Sequence, residues 1–230
     1  MIDIDKLYTY IGKTIANKAQ TGNLTPSDFN SLLPRAYQQW VYKTYDDMTD
    51  GRGWQSHQGI TDDLRFLLVR NKVMQVALDG SLAVPSDYLH LSSINYTYSK
   101  LVKGKTVSRL KPVDIVRDNE RSAFTDSDIY APLLDAKKYV IAAFFDTYLQ
   151  FYPSDVARVE FTYLRKPIDP VWSFTVVNGR PVYDPLTSIN LEAPEESADE
   201  IAMIALSLFG INIRDQELIS YSEAQKAQNL

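Results

Sequence analysis

The sequence predicts an α+β protein, with terminal helices packed as a bundle and a central antiparallel region of β-meander and hairpins. Apolar residues recur with a helical period near both ends of the chain. Between the ends the period changes to two, and dipeptides typical of tight turns, Asp79-Gly80 and Asn178-Gly179, separate the alternating segments. Helices at both ends with strands between them favour this class.

No composition shift marks a domain boundary, so we expect a single domain over residues 1–230. Residues 1–70 are predicted to be helical, residues 71–191 to form a β-rich insertion with a short helix near 112–122, and residues 195–230 to form the C-terminal helices.

Two helices open the chain. An apolar face with a 3.6-residue period predicts a first helix that ends near Lys18. The second helix is predicted to start with Thr25 as its N-cap, Pro26 at its first position and Asp28 completing a capping-box-like pattern. Pro34 interrupts the same helix, where we expect a kink.

Alternating residues then predict strands. Residues 72–84 are predicted as a hairpin around Asp79-Gly80, residues 85–89 as a turn of helix, and residues 100–111 as an exposed hairpin or edge strand. Residues 139–152 fit either a buried helix or two strands. Two strands are favoured, because a turn at Pro153 then gives a meander through residue 164.

The strand over residues 159–165 is followed by Lys166-Pro167 and Asp169-Pro170. Proline has no backbone N–H and favours an extended residue before it, so this segment is a stiff exit from the sheet. It leads to a predicted hairpin over residues 172–183, where Pro181 marks an edge strand. We expect this hairpin to contact a neighbouring subunit or tail protein through Trp172, Phe174, Val182 and Tyr183. Alternatively, the prolines only turn a surface loop.

The chain is predicted to end in helices. Glu195 and Glu196 lie in the predicted first turn of one helix, where acids are favourable, and Gly210 is its predicted stop. A last helix over about 215–226 has few large apolar residues.

Composition excludes several functions. The 230 residues include no cysteine and two histidines, and their net charge is −5. Disulfides, thiolate catalysis and His-rich metal sites are thereby excluded, and clustered binding to nucleic acid is disfavoured. Neither a signal peptide nor a membrane span is predicted.

No catalytic motif or phosphate-binding glycine loop occurs, so we expect no enzyme activity and no cofactor. Paired acids occur at Asp46-Asp47, Asp62-Asp63, Asp126 with Asp128, and Glu195-Glu196. Their positions at helix ends and in polar loops favour structural roles over catalysis.

Five motifs in order carry a resemblance to a family. They occupy residues 24–33, 82–94, 159–167, 189–202 and 208–218. Together they resemble head-to-tail connector proteins of tailed bacteriophages, and most closely the adaptor, a tail tubular protein A-like ring protein. The crAss-like phages of Bacteroidetes are the group most similar.

The resemblance implies a structural virion protein at the head-to-tail interface, assembled in the host cytoplasm. It implies a ring of copies, usually twelve, that joins the portal protein to the tail nozzle and tube proteins. DNA passes through the lumen only as cargo, and no membrane is a partner. The implied portal contact is a C-terminal tail including Arg214, Leu218, Ile219 and Tyr221.

Three other functions remain open. The chain is alternatively another neck or tail-completion protein, or a virion-associated hydrolase that uses paired carboxylates. The 15 tyrosines also fit a carbohydrate-binding module, although tyrosine equally suits a half-buried sheet face.

Overall fold

A computed structural model describes residues 1–18, 24–49, 62–102, 105–126, 132 and 139–213. The fold is mixed α+β, as predicted. The chain divides into two compact units. The terminal unit comprises Met1–Leu67 and Pro167–Leu230, and the inserted unit comprises Leu68–Lys166.

The described helices are α1 (Ile4–Lys18), α2 (Pro26–Thr49), α3 (Arg121–Thr125) and α4 (Ala198–Ile213), with 3-10 turns at Asp118–Glu120 and Glu195–Ser197. The described strands are β1 (Leu68–Gln75), β2 (Ser81–Ala83), β3 (Tyr88–Val102), β4 (Lys105–Pro112), β5 (Asp114–Val116), β6 (Ile141–Phe144), β7 (Tyr148–Tyr152), β8 (Arg158–Arg165), β9 (Phe174–Val177) and β10 (Arg180–Tyr183).

Local capping sets the start of α2. The Asp28 backbone N–H donates to Thr25 Oγ1 over 3.2 Å, and the Thr25 hydroxyl donates to Asp28 Oδ2 over 2.6 Å. The predicted cap is confirmed. Pro34 lies inside α2, which continues to Thr49.

The terminal unit buries apolar residues from α1, α2 and α4. Trp40 of α2 is 1% exposed, and its indole Nε1 donates to Glu200 Oε2 of α4 over 3.0 Å. Lys43 Nζ lies 2.7 Å from Glu200 Oε1. Other buried residues of the three helices are Ile4, Leu7, Ile11, Leu33, Ile201 and Leu206.

The inserted unit contains two four-stranded sheets that share one core. One sheet has the order β1-β8-β3-β4 and is antiparallel, and the other has the order β2-β7-β6-β5 with β5 parallel to β6. Large core residues come from both sheets, including Ile94, Tyr96, Phe161 and Tyr163 from the first and Leu149 and Phe151 from the second.

The inserted unit begins and ends in neighbouring strands. Leu68 of β1 pairs with Leu164 of β8, and the strands run antiparallel. The strand β8 ends at Arg165, immediately before Lys166-Pro167, where the chain passes into the terminal unit. The predicted strand end is therefore confirmed, and the prolines mark the crossing between the two units.

The two predicted strands within 139–152 are confirmed as β6 and β7, which pair with each other. The predicted meander from β7 into β8 is wrong, because the two strands belong to different sheets. The predicted hairpin at Asp79-Gly80 is wrong for the same reason. The turn forms, with Gly80 at φ 82°, but β1 pairs with β8 and β2 pairs with β7.

Three helix predictions need correction. Residues 85–89 are not helical, because Tyr88 begins β3 and pairs with Arg165. The short helix predicted near 112–122 is α3 with the preceding 3-10 turn, whereas residues 114–116 form β5. Gly210 does not end its helix, since α4 continues to Ile213. The last predicted helix, over 215–226, lies outside the described residues.

Candidate interaction surface

The hairpin β9–β10 is confirmed in the terminal unit. Arg180 pairs with Val177 across the turn, and Tyr183 pairs with Phe174 at the base. Asn178 and Gly179 have φ angles of 51° and 76°. Positive φ at both central residues defines the turn whose twist matches a two-stranded hairpin.

The two faces of this hairpin differ in chemistry. Cross-strand partners share a face and successive residues alternate, so one face carries Phe174, Val176, Pro181 and Tyr183. Every side chain on this first face has a largely apolar body. The second face carries Thr175, Val177, Arg180 and Val182 and is mixed.

The apolar face continues inward to Trp172. The Trp172 ring stacks on the rings of Phe174 and Tyr183, with centroids 5.7 Å and 5.8 Å away. On its other contacts it stacks on Tyr8 of α1, at 4.2 Å and 18° between planes. We call the set Phe174, Val176, Pro181 and Tyr183 the apolar hairpin face.

Trp172, predicted as a contact residue, lies inside the terminal unit instead. It is 3% exposed. Its indole Nε1 donates to Asp5 Oδ1 over 2.9 Å, its backbone N–H donates to Asn30 Oδ1 over 2.9 Å, and Asn30 Nδ2 donates to its carbonyl over 3.0 Å. Burial of a large ring with all these polar groups bonded makes Trp172 the anchor of the hairpin.

The loop after β10 is also held by polar contacts. The Asp184 backbone N–H donates to the Ser173 carbonyl over 2.9 Å, and the Ser173 hydroxyl donates to the Thr187 carbonyl over 3.0 Å. The Asp184 carboxylate accepts from the Leu186 N–H over 3.0 Å and from the Thr187 hydroxyl over 2.9 Å. Both ends of the hairpin are therefore fixed to the loop.

Burial raises the pKa of the Tyr8 phenol beside this anchor, and the charge of Asp5 raises it further. The phenol therefore stays protonated and donates to the Leu24 carbonyl over 3.2 Å. Its ring remains a neutral stacking partner for Trp172.

Several apolar side chains near the hairpin are open to solvent. Val176 is 67% exposed, Val177 is 51% exposed and Leu186 is 93% exposed. Contiguous exposed apolar residues on a fixed frame are typical of protein contact surfaces. Val176 and Leu186 were not among the predicted contact residues. The alternation across Phe174–Val177 would have identified Val176, whereas nothing in the sequence marks Leu186.

The predicted hairpin contacts are thus divided among three positions. Phe174 and Tyr183 lie together on the apolar hairpin face, and Val182 lies on the second face. Trp172 lies beneath the first face. The predicted portal contacts Arg214, Leu218, Ile219 and Tyr221 lie outside the described residues.

Two of the predicted acidic pairs come near each other. Burial raises the pKa of Asp63, and the charges of Glu200, Glu196 and Asp62 raise it further. Asp46-Asp47 lies in the last turns of α2. Asp126 follows α3, and Asp128 lies outside the described residues.

A cavity of about 260 Å³ lies beside the starts of α1 and α4, with Asp3, Lys6, Glu195 and Asp199 in its lining. It is smaller than the roughly 300–1,000 Å³ of typical ligand pockets. Within the described ranges, no group of three or more His, Asp or Glu side chains is placed to hold a metal ion. No described helix is long and apolar enough to cross a membrane.

Comparisons with protein-family models and with curated proteins give no match to this chain.

Proposed function

We propose that this protein is a structural virion protein that assembles into a ring, the head-to-tail adaptor of a tailed phage, and lets DNA pass. The apolar hairpin face is the contact with a neighbouring subunit or tail protein. The single observation that carries this proposal is an exposed apolar strand face held rigidly by a buried anchor.

The anchor matters because it lowers the cost of binding. A flexible hairpin would lose conformational freedom on docking, whereas a hairpin fixed through Trp172 and Asn30 has already lost much of it. Aromatic and aliphatic side chains on one fixed face, here Phe174, Val176 and Tyr183, are the composition of interface centres.

The remaining parts of the adaptor proposal concern the terminal helices and the tail. The helices of the terminal unit pack as a bundle in the ring wall, and the C-terminal segment with Arg214, Leu218, Ile219 and Tyr221 grips the portal. Both ideas come from the family resemblance. The net charge of −5 per copy favours a lumen in which DNA slides without being held.

Neighbouring valines on opposite faces provide the test. Val176→Asp places a charge on the apolar hairpin face, and Val177→Asp places the same charge on the second face of the same strand. We expect Val176→Asp to abolish self-association and Val177→Asp to retain it. Sedimentation velocity of the purified full chain, alone and mixed with portal protein, gives the readout.

Leu78→Asp is a second control, because Leu78 is fully exposed in the inserted unit. It should assemble like the wild type. Equal assembly of Val176→Asp and wild type would refute the contact, and loss only in Val177→Asp would move the contact to the second face with Val182. A wild-type chain that stays monomeric and ignores portal would remove the adaptor function itself.

A second candidate, a virion-associated hydrolase, is favoured by one observation. The raised pKa of Asp63 beside Glu196 and Glu200 is a property of general acids. Asp63→Asn and Glu196→Gln variants test it against peptidoglycan and polysaccharide. Turnover by the wild type that both variants lose would support the hydrolase over the adaptor.

A further inference from the structure

The two units carry charges of opposite sign. The terminal unit has 10 Lys and Arg against 18 Asp and Glu, a net charge of −8. The inserted unit has 14 Lys and Arg against 11 Asp and Glu, a net charge of +3. The modest charge of the whole chain therefore hides a strong separation.

The positive charge of the inserted unit is concentrated on β4. This strand has Lys105, Arg109 and Lys111 and no acid, and it is an edge strand of its sheet. Alternation places the three basic residues on one side of the strand, together with Val107. We call Lys105, Val107, Arg109 and Lys111 the basic face of β4.

Two of these charges lack compensation within the fold. Neither Lys105 nor Arg109 forms an ion pair with another residue that the structure describes, and both side chains are exposed. Val107 between them is 39% exposed. Lys111 is placed differently, since its Nζ lies 5.8 Å from the centroid of the Tyr98 ring.

The terminal unit has uncompensated acids at the start of α4. Glu195, Glu196 and Asp199 are exposed and make no ion pair or side-chain hydrogen bond with any described residue. Asp62 and Asp63 lie in the same neighbourhood, since Asp62 and Glu196 both raise the pKa of Asp63. The helix N-terminus stabilises these acids only in part, because their mutual repulsion is still expressed at Asp63.

We propose that the basic face of β4 docks on the acidic start of α4 in a second copy of the chain. The proposal rests on the self-assembly proposed above and adds a second contact with different chemistry. Each copy has one basic and one acidic surface, so the contact is head-to-tail and repeats from copy to copy. Such a heterologous contact closes into a ring when the rotation between copies permits it.

Double-stranded DNA is the competing polyanion. The exposed Val107 and Leu110 of β4 favour protein, since apolar side chains contribute little to contacts with phosphates. The acidic surface on the same chain also provides a partner at equal stoichiometry. DNA binding is therefore an outcome that the experiment must separate.

Charge reversal on each surface provides the test. One variant carries Lys105→Glu and Arg109→Glu, and the other carries Glu195→Lys, Glu196→Lys and Asp199→Lys. Alone, each opposes like charges at the contact, so self-association should weaken by about tenfold or more at low salt. Mixed together, the two variants again present opposite charges to each other, and association should return.

Arg70→Glu with Arg158→Glu is the matched control, because it changes the net charge equally at exposed positions outside β4. It should associate like the wild type. Circular dichroism melts verify folding, and Glu195→Gln with Glu196→Gln is a milder variant in case the lysine variant does not fold. Sedimentation velocity at low and high salt measures association, and a mobility shift with duplex DNA measures DNA binding.

Unchanged association of both reversal variants would overturn this contact while leaving the hairpin contact, tested by Val176→Asp, in place. Rescue only when both reversals are on one chain would place the contact within a copy and overturn the proposal. Loss of DNA binding with unchanged association would assign the basic face of β4 to DNA. A monomeric wild type would instead refute the self-assembly on which the proposal rests.

Discussion

The two exposed hairpins of this protein are held in different ways. The β3–β4 hairpin extends a four-stranded sheet, and backbone pairing runs from Asn95 with Pro112 to Val102 with Lys105. The β9–β10 hairpin forms a two-stranded sheet of its own, and side chains around Trp172 fix it to the terminal unit.

The difference shows how a small hairpin becomes a rigid surface. An isolated two-stranded hairpin is marginally stable in water, because it has little surface to bury. The β3–β4 hairpin obtains its order from the neighbouring strand β8 and many backbone hydrogen bonds. The β9–β10 hairpin depends on one buried ring and a few polar contacts, so single substitutions should separate the two.

The largest effect is expected for Trp172→Ala. Removal of a buried aromatic side chain typically lowers the free energy of unfolding by about 3–5 kcal/mol. The matched substitution Tyr98→Ala, at a partly exposed ring of the β3–β4 hairpin, should cost roughly 1 kcal/mol. Urea denaturation followed by circular dichroism measures both. Equal losses would mean that Trp172 is not a special anchor.

A smaller effect is expected for Asn30→Ala. The Asn30 amide bonds both the N–H and the carbonyl of Trp172, and truncation leaves those partly buried groups without these partners. The free energy of unfolding should fall by about 1–3 kcal/mol. Ser31→Ala, which removes only a hydrogen bond to the Asp28 carbonyl on the exposed side of α2, should be nearly neutral.

Hydrogen exchange sharpens the Asn30 prediction. In Asn30→Ala, the amides of β9 and β10 should exchange faster, and those of β3 and β4 should keep their wild-type rates. Faster exchange in both hairpins would contradict a local anchor.

The smallest effect concerns the charge of the terminal unit. Burial and the neighbouring acids raise the pKa of Asp63 above its ordinary value near 3.8. The folded state therefore binds the proton more tightly than the unfolded state, so stability from this group is present at low pH and is lost as pH rises through the folded pKa. Asp63→Asn should be more stable than wild type at pH 7.

The advantage of Asp63→Asn should shrink when the pH is lowered toward the ordinary value. Urea midpoints at several pH values measure this trend. Asp155→Asn, at an exposed turn of the inserted unit, is the control and should show no comparable trend. An advantage that grows on acidification would reverse the sign and refute the repulsion at Asp63.

Local signals in the sequence were reliable where the chemistry is contained in a few residues. Thr25 and Asp28 form the predicted cap, Asn178-Gly179 forms the predicted hairpin turn, and Lys166-Pro167 follows the end of β8. Each depends on backbone preferences and side chains within about four positions.

Predictions that needed distant partners were less reliable. The turn at Gly80 was recognised, but the sheet that receives each flanking strand depends on β7 and β8, far along the chain. Tyr88 is extended because it pairs with β8. Trp172 was predicted on the surface, because its sequence neighbours do not reveal Asp5, Tyr8 and Asn30.

The sequence by itself determined the α+β class, the helix starts, the tight turns and the separation of charge along the chain. These follow from local backbone chemistry and from counting residues. Only the tertiary structure decided which strands share a sheet, and that the hairpin presents one apolar face above a buried tryptophan. The physical reason is that burial and strand pairing are properties of residues distant in the chain, which no local pattern specifies.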